Sequence, residues 1–469
     1  MKRTLSLILC LILLSISLLN VVSCSSESTT EKLLKLGEEE RATELLKLYD
    51  KSVNALNSYT QKQTLDVSGN YLDVPVKLLG TVISAESGLK KGEFLSKSKY
   101  ETQTTFTFNE VESATKESSI EGYQNGTHYY SGSSSDEEVK LFAATNKDDY
   151  ISYMKEDALE TSYIAKNCTV KSASQNDDLT WTATFSGAPE SVIEEIAVYF
   201  GVDGFFDISS VQDVSVSILL EKDFTPIEES ISFVFKFGAK DKFHASCKYS
   251  DLDKTVIEET DISSYTEVDS ILAVYKAGDA LDLWLDAEEN SAKVTYTEKA
   301  SGNGAEEETS SVIDLSFLNK NGKYSFTATT KSDDYVLSYE YTDGKFSLSM
   351  SQNGEILNEE TRDYTDDEAV AYVYDLFSAC EVSLYGLSDV ELSEDGKTYT
   401  FKLSSPDTSV YDEIFQTTPK SADSTIIYTL DDDGLLVRSS AVTSIVYETS
   451  AGDFTVLSSY EYDFSANAE

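Results

Sequence analysis

The feature that most constrains this chain is an internal repeat. Tyr123-Gln124-Asn125-Gly126 is echoed by Tyr341-Thr342-Asp343-Gly344, and Asn167-Cys168-Thr169-Val170 by Ala379-Cys380-Glu381-Val382. Asp178-Leu179-Thr180-Trp181-Thr182 matches Gly396-Lys397-Thr398-Tyr399-Thr400, and Ser58-Tyr59-Thr60-Gln61-Lys62 matches Thr295-Tyr296-Thr297-Glu298-Lys299. Pro189 to Ile196 resembles the run from Pro406, with Ser409-Val410 and Glu413-Ile414 in matching places. All matches keep their order, most at offsets of about 210–220 residues. Solenoid repeats recur every 20–50 residues or so. A period this long therefore describes two copies of one domain.

Within each copy the hydrophobic period changes from helical to alternating. Leu33, Leu34, Leu36, Leu45, Leu46, Leu48, Val53 and Leu56 recur near helical spacing, so a helix is expected over Glu31–Asn57, with Gly37 as an early interruption. Its counterpart is Val268–Asn290. Strand alternation follows, as in Ile231-Ser232-Phe233-Val234-Phe235-Lys236-Phe237 and Tyr399-Thr400-Phe401-Lys402-Leu403. Asn125-Gly126, Asp343-Gly344, Asn353-Gly354, Asp395-Gly396 and Asp433-Gly434 read as hairpin turns. Short helices are expected near Ser191–Tyr199 and Ser409–Phe415, and a domain boundary near Asp261–Thr266. The expected fold class is α+β: two tandem domains, 31–262 and 263–469, each a curved antiparallel sheet, an unclosed barrel, wrapped on a helix.

The first 23 residues read as a secretory leader. Lys2 and Arg3 precede an uncharged apolar stretch from Leu5 to Leu19, too short to span a bilayer comfortably. Val21-Val22-Ser23-Cys24 then resembles the bacterial lipobox. That resemblance implies cleavage before Cys24, a diacylglycerol on its sulfur, and a membrane anchor on the extracytoplasmic face. Residues 24–30 form a short polar tether. Cys10 leaves with the leader, so Cys168, Cys247 and Cys380 remain. Cys168 and Cys247 could pair as a disulfide, but the wide spacing of the three favours small core residues.

The formal net charge of -46 is spread along the chain. Such a surface repels phosphate backbones and anionic headgroups, which argues against nucleic acid as a partner. Catalytic signatures are sparse. The two histidines, His128 and His244, sit in strand-like sequence without a Gly-x-Ser-x-Gly elbow and read as partly exposed strand residues. Asp431-Asp432-Asp433-Gly434 lacks the spaced ligands of a calcium loop and reads as a turn. The scattered acids single out no carboxylate pair of the kind glycosidases need. No cofactor, metal site or catalytic residue is expected.

The layout resembles the LolA-like superfamily, including lipoproteins of the LppX type. The resemblance rests on Ala55-Leu56-Asn57-Ser58-Tyr59 at a helix-to-strand junction and on the Tyr-x-x-Gly hairpins at Tyr123 and Tyr341, which are followed by Tyr129, Tyr130 and Phe346. The late hairpin from Tyr428 to Leu435 has the same character. It implies a non-catalytic lipoprotein that holds a lipid or other hydrophobic ligand between sheet and helix. It carries over no ligand-binding residue. Phe233, Phe235 and Phe237 are candidates for a cavity lining, although such a stripe is more often core. The alternative expectation is a structural or protein-interaction lipoprotein with no small ligand.

Overall fold

In the computed structural model the described residues are 28–464, except 72–73, 109–110, 135–136, 157–160, 201, 203–209, 236–241, 303, 321–322, 333–334, 383, 385, 405–417 and 450–451. The leader and Cys24, and the short helix expected at Ser409–Phe415, lie outside them.

Two helices open the described chain, α1 (Thr29–Lys35) and α2 (Glu38–Ala55). The single helix expected from Glu31 is broken at Leu36, whose backbone is extended. Ser28 and Glu31 form a reciprocal capping box at the start of α1. Ala42, Leu45, Leu46 and Tyr49 line the buried stripe of α2 at helical spacing.

Unit one continues with β1 (Ser58–Tyr71), β2 (Val74–Ser87), β3 (Leu95–Phe108), β4 (Val111–Gln124), β5 (Thr127–Ser134) and β6 (Glu137–Ala144). Then come α3 (Lys147–Glu156), α4 (Thr161–Asn167), β7 (Val170–Gln175), β8 (Trp181–Ser186) and α5 (Glu190–Tyr199). It ends with β9 (Val211–Leu220), β10 (Pro226–Phe235) and β11 (Lys242–Ser250). A two-residue strand, β12 (Thr266–Glu267), leads to α6 (Leu272–Asp286) and unit two.

The strands of unit two are β13 (Glu289–Gly302), β14 (Ala305–Lys320), β15 (Lys323–Ser332), β16 (Tyr335–Thr342), β17 (Lys345–Gln352) and β18 (Glu355–Asp363). After α7 (Asp366–Asp375) follow β19 (Leu387–Leu392), β20 (Thr398–Leu403), β21 (Ser421–Leu430), β22 (Leu436–Thr449) and β23 (Gly452–Asp463).

The two sheets share one topology. The first runs β12-β6-β5-β4-β3-β2-β1-β11-β10-β9-β8-β7, the second β18-β17-β16-β15-β14-β13-β23-β22-β21-β20-β19. Apart from the added β12, each strand has its counterpart in the same place. The turns follow from residue chemistry. Asn125 and Gly126 take φ of 49° and 78°, and Asp343 and Gly344 take 50° and 77°. These left-handed values suit tight two-residue hairpins. At the Asp431-Asp432-Asp433-Gly434 turn, the Asp431 carboxylate accepts from the backbone amides of Asp433 and Leu435.

The fold class expected from sequence is corrected. Sheets of twelve and eleven strands dominate, both open, and the helices are too few to form an inner layer. Helix α2 lies chiefly against β7 to β10, so it covers one end of its sheet and is not the axle of a wrap. There Val214, Val216, Ile218 and Leu220 of β9 are fully buried, with Trp181 and Phe185 of β8. Burial of each such aliphatic side chain stabilises by about 1.5–3 kcal/mol. Just past the expected boundary at 262/263, β12 pairs in parallel with β6.

Candidate functional site at the junction of the units

The strongest concentration of buried polar chemistry lies where unit two meets unit one. On β4, Glu121 and Tyr123 point to one face of the sheet and Gly122 and Gln124 to the other. Across the hairpin, Glu121 pairs with Tyr130 and Tyr123 with His128. Glu121, Tyr123, His128 and Tyr130 thus share the face covered by α3 and α6.

His128 is 0% exposed and Glu121 5%. The imidazole Nε2 lies 2.7 Å from Glu121 Oε1. From unit two, the Tyr275 hydroxyl donates to the same oxygen at 2.9 Å. Burial, then the Glu121 carboxylate, hold the Tyr275 phenol well above its usual range. The same two causes push Tyr100 up to about 12. These phenols therefore stay protonated and available as donors. Tyr150 of α3 stands edge-on to the imidazole at 5.0 Å and packs with Phe94 and Tyr123. The Tyr153 ring stacks on Tyr275 at 5.7 Å, and its hydroxyl donates to Asp279 at 2.5 Å.

The opposite face of the same strands is held by the connection between the units. The Gln124 amide donates to Thr260 O at 2.8 Å and accepts from Thr260 N at 2.7 Å. The Thr260 hydroxyl donates to Tyr129. Tyr129 lies across Gly122, where an added Cβ would meet its hydroxyl at 2.4 Å. Val268 N, just past β12, then donates to Phe142 O on β6. The chain between the units therefore passes around the sheet edge, and α6 returns on the inner face. Tyr130, Val139, Leu141 and Ala143 of unit one join one continuous hydrophobic core with Ile271, Val274 and the interior of unit two.

A carboxylate holding an imidazole is the orienting half of a hydrolytic triad. Here the other ring nitrogen, His128 Nδ1, is buried and meets no hydrogen-bond partner. The arrangement binds three elements from two units to one carboxylate oxygen. Sequence reading placed His128 as partly exposed, and that is corrected: α3 and α6 cover its face. His244 is exposed. Glu121 and Tyr275 carried no sequence signal, because they meet only through the docking of the units.

A second buried carboxylate lies under α2. Glu229 accepts from Tyr49 and from Tyr249, and burial raises its pKa despite those donors. Burial and the Glu229 carboxylate push the neighbouring Cys247 thiol up. Cys168, Cys247 and Cys380 are all buried, and none of them is in a disulfide. The Cys168–Cys247 disulfide is thus not formed: Cys168 Sγ bonds Ile164 O, at the end of α4, while Cys247 faces the Glu229 cluster. Among the described residues no three His, Cys, Asp or Glu side chains converge on a metal site, and no helix is long and apolar enough to cross a membrane.

The two larger pockets found among the described residues are open clefts of mixed lining. One of about 640 Å³ is bounded by Ala55, Leu56 and Leu252 as well as by Glu221, Asp223 and Asp251. Another, of about 710 Å³, is bounded by Leu79 and Ala114 as well as by Glu101, Gln103, Lys116 and Glu117. Of the expected cavity aromatics, Phe233 is buried and stacked on Phe243 at 4.5 Å, as core. Phe237 and the side chain of Phe235 lie outside the described residues.

No family model and no curated protein matches the chain. Among solved structures, a DUF1329 family protein from Desulfovibrio piger is 10% identical over 43% of this chain and 96% of its own, with a TM-score of 0.19. A beta-barrel-like protein of the domain of unknown function DUF1849 from Brucella abortus is 10% identical over 43% of this chain and 100% of its own, at 0.18. The translocator domain of the autotransporter NalP from Neisseria meningitidis is 8% identical over 90% and 95%, at 0.13. At these TM-scores the likeness carries no argument about fold or function.

Proposed function

We propose that this protein is an extracytoplasmic lipoprotein, anchored through a diacylglycerol on Cys24, whose two sheet units form a stiff scaffold for a protein partner. The observation that carries the scaffold reading is the joint. One hydrophobic core runs from β5 and β6 into unit two, and Glu121 is bonded from both sides. A carrier that opens around an acyl chain needs an apolar cavity or a loose seam. The described pockets are open clefts of mixed lining and the seam is packed, which favours protein over lipid as the partner. The net charge of -46 favours a basic partner surface and disfavours nucleic acid.

Native mass spectrometry of the purified protein tests the ligand half of the reading. A mass equal to the polypeptide plus its anchor supports the scaffold, whereas a stoichiometric extra lipid overturns it in favour of lipid carriage. Cys24→Ala tests the anchor: the variant should leave the membrane fraction, and retention there would refute acyl anchoring.

A further inference from the structure

Strand register matches each residue of unit one to one of unit two. Glu121 faces Tyr130 as Tyr339 faces Leu348, and His128 faces Tyr123 as Phe346 faces Tyr341. One strand on, Tyr130, His128 and Gly132 pair with Leu141, Ala143 and Val139 of β6. Leu348, Phe346 and Met350 pair with Glu360, Arg362 and Asn358 of β18. The face of β6 that meets unit two is therefore Val139, Leu141 and Ala143, all buried. The matching face of β18 is Asn358, Glu360 and Arg362, all exposed, with Arg362 Nε donating to Glu360 at 2.8 Å.

The other end of the molecule differs in the same sense. Helices α2 and α6 each end three residues before their unit's first strand, at Ser58 and Glu289. Aligned on those strands, buried Ala42, Leu46 and Tyr49 coincide with buried Ala273, Ala277 and Ala280. Ile271, Val274 and Tyr275 then match Glu40, Thr43 and Glu44. That end also carries α1, whose Leu33 is buried in the core of unit one. Arg41 holds α1 there, donating to the carbonyls of Leu33 at 2.9 Å, Leu36 at 2.8 Å and Ala173 at 3.0 Å.

A joint in which the front of one unit docks on the back of another is heterologous, and such contacts extend indefinitely unless something stops them. Repeat arrays stop at terminal units with a polar outer face. We propose that the joint is a repeatable head-to-tail interface which this chain closes at both ends, so that the β16–β18 face of unit two refuses the helix of a second copy. Seating an apolar first turn there would bury Glu360 and Arg362 away from water, at a desolvation cost that their mutual contact does not recover. The apolar face of β6 takes a unit with an α6-like start, and the chain has one such start, already seated within its own joint.

The test is the solution mass of the full chain, released from the membrane by Cys24→Ala, measured by sedimentation across a concentration series. The protein with both ends intact should remain a monomer throughout. Asn358→Val/Glu360→Leu/Arg362→Ala alone should stay monomeric, because the α2 end is still polar and capped. Combined with Glu40→Ile/Thr43→Val/Glu44→Tyr, which gives α2 an α6-like start, and Arg41→Ala, which frees α1 from that end, it should self-associate head to tail, its average mass rising to that of a dimer and beyond. Glu360→Leu in place of the triple change serves if the full combination misfolds. Head-to-tail oligomers of the unaltered protein, cross-linked between β18 and α2, would overturn the proposal. So would a combined variant that is folded by circular dichroism and stays monomeric.

Discussion

Tyr275→Phe isolates the polar bond that crosses the joint. The ring keeps its stack on Tyr153, and the substitution removes only the hydroxyl that donates to Glu121 at 2.9 Å. A hydrogen bond to a charged group contributes about 1.5–3 kcal/mol. The imidazole of His128 remains as the donor to that oxygen, so the carboxylate is weakened in its support but not orphaned. At about 1.4 kcal/mol per tenfold, the open joint should become roughly 10- to 150-fold more populated. Hydrogen exchange read by mass spectrometry is the assay. Peptides covering β4, β5 and the first turns of α6 should exchange faster by that factor, while β9 and β21, deep in each unit, should not change. Tyr341→Phe is the control, since that hydroxyl bonds Asp366 within unit two at 2.5 Å. If Tyr275→Phe leaves the junction peptides unaltered, or accelerates both units equally, Glu121 does not pin the joint.

Three further outcomes are expected. Burial raises the pKa of Glu229 above its ordinary value near 4.5, so the folded state prefers the neutral acid. That contribution is present below pH 4.5 and is lost as pH rises through the folded value. Denaturant titrations should then show Glu229→Gln gaining on the unaltered protein as pH rises from 4 to 8, and a gain toward low pH would contradict the assignment. Burial pushes the Cys380 thiol up to about 12, and Cys168 and Cys247 are also buried, so thiol reagents should label all three only on unfolding. Rapid labelling of the native protein at any of them would refute the packing described. Arg41→Ala should cost about 2–3 kcal/mol and strip exchange protection from α1, because three carbonyls lose a charged donor. Unchanged protection there would show that Leu33 alone holds the helix.

Much of the architecture was written in turn chemistry and in the repeat. The Asn-Gly and Asp-Gly pairs fall where adjacent strands reverse. Tyr123 and Tyr341 occupy equivalent places in the two sheets, and Trp181 and Tyr399 lie in corresponding strands. Cys168 and Cys380 both come just ahead of the far edge strand of their sheet, β7 or β19. Tyr59 and Tyr296 do not: Tyr59 is the second residue of β1, while Tyr296 is the eighth of β13. That likeness is a coincidence of strand composition. The helical weight was overestimated because the leucines before Ser58 give a strong periodic signal. Strands such as β4, exposed on both faces over Val111–Ser118, give almost none. The junction was illegible for another reason. Glu121, His128 and Tyr275 acquire their chemistry from docking, and a single strand of sequence shows only alternation.

On the proposed anchoring, the Arg41 clamp also limits how the molecule hangs from a membrane. Ser28 already belongs to a capped helix that is fastened to unit one. Three residues lie between it and the lipidated Cys24, so four chain steps reach about 14 Å even when fully extended. That is less than two Debye lengths in physiological salt, at about 8 Å each. Unit one would therefore be held inside the field of the headgroups, while its own charge repels anionic ones. A short leash and a repelled body leave few orientations open, and an upright stance with unit two outermost best satisfies both.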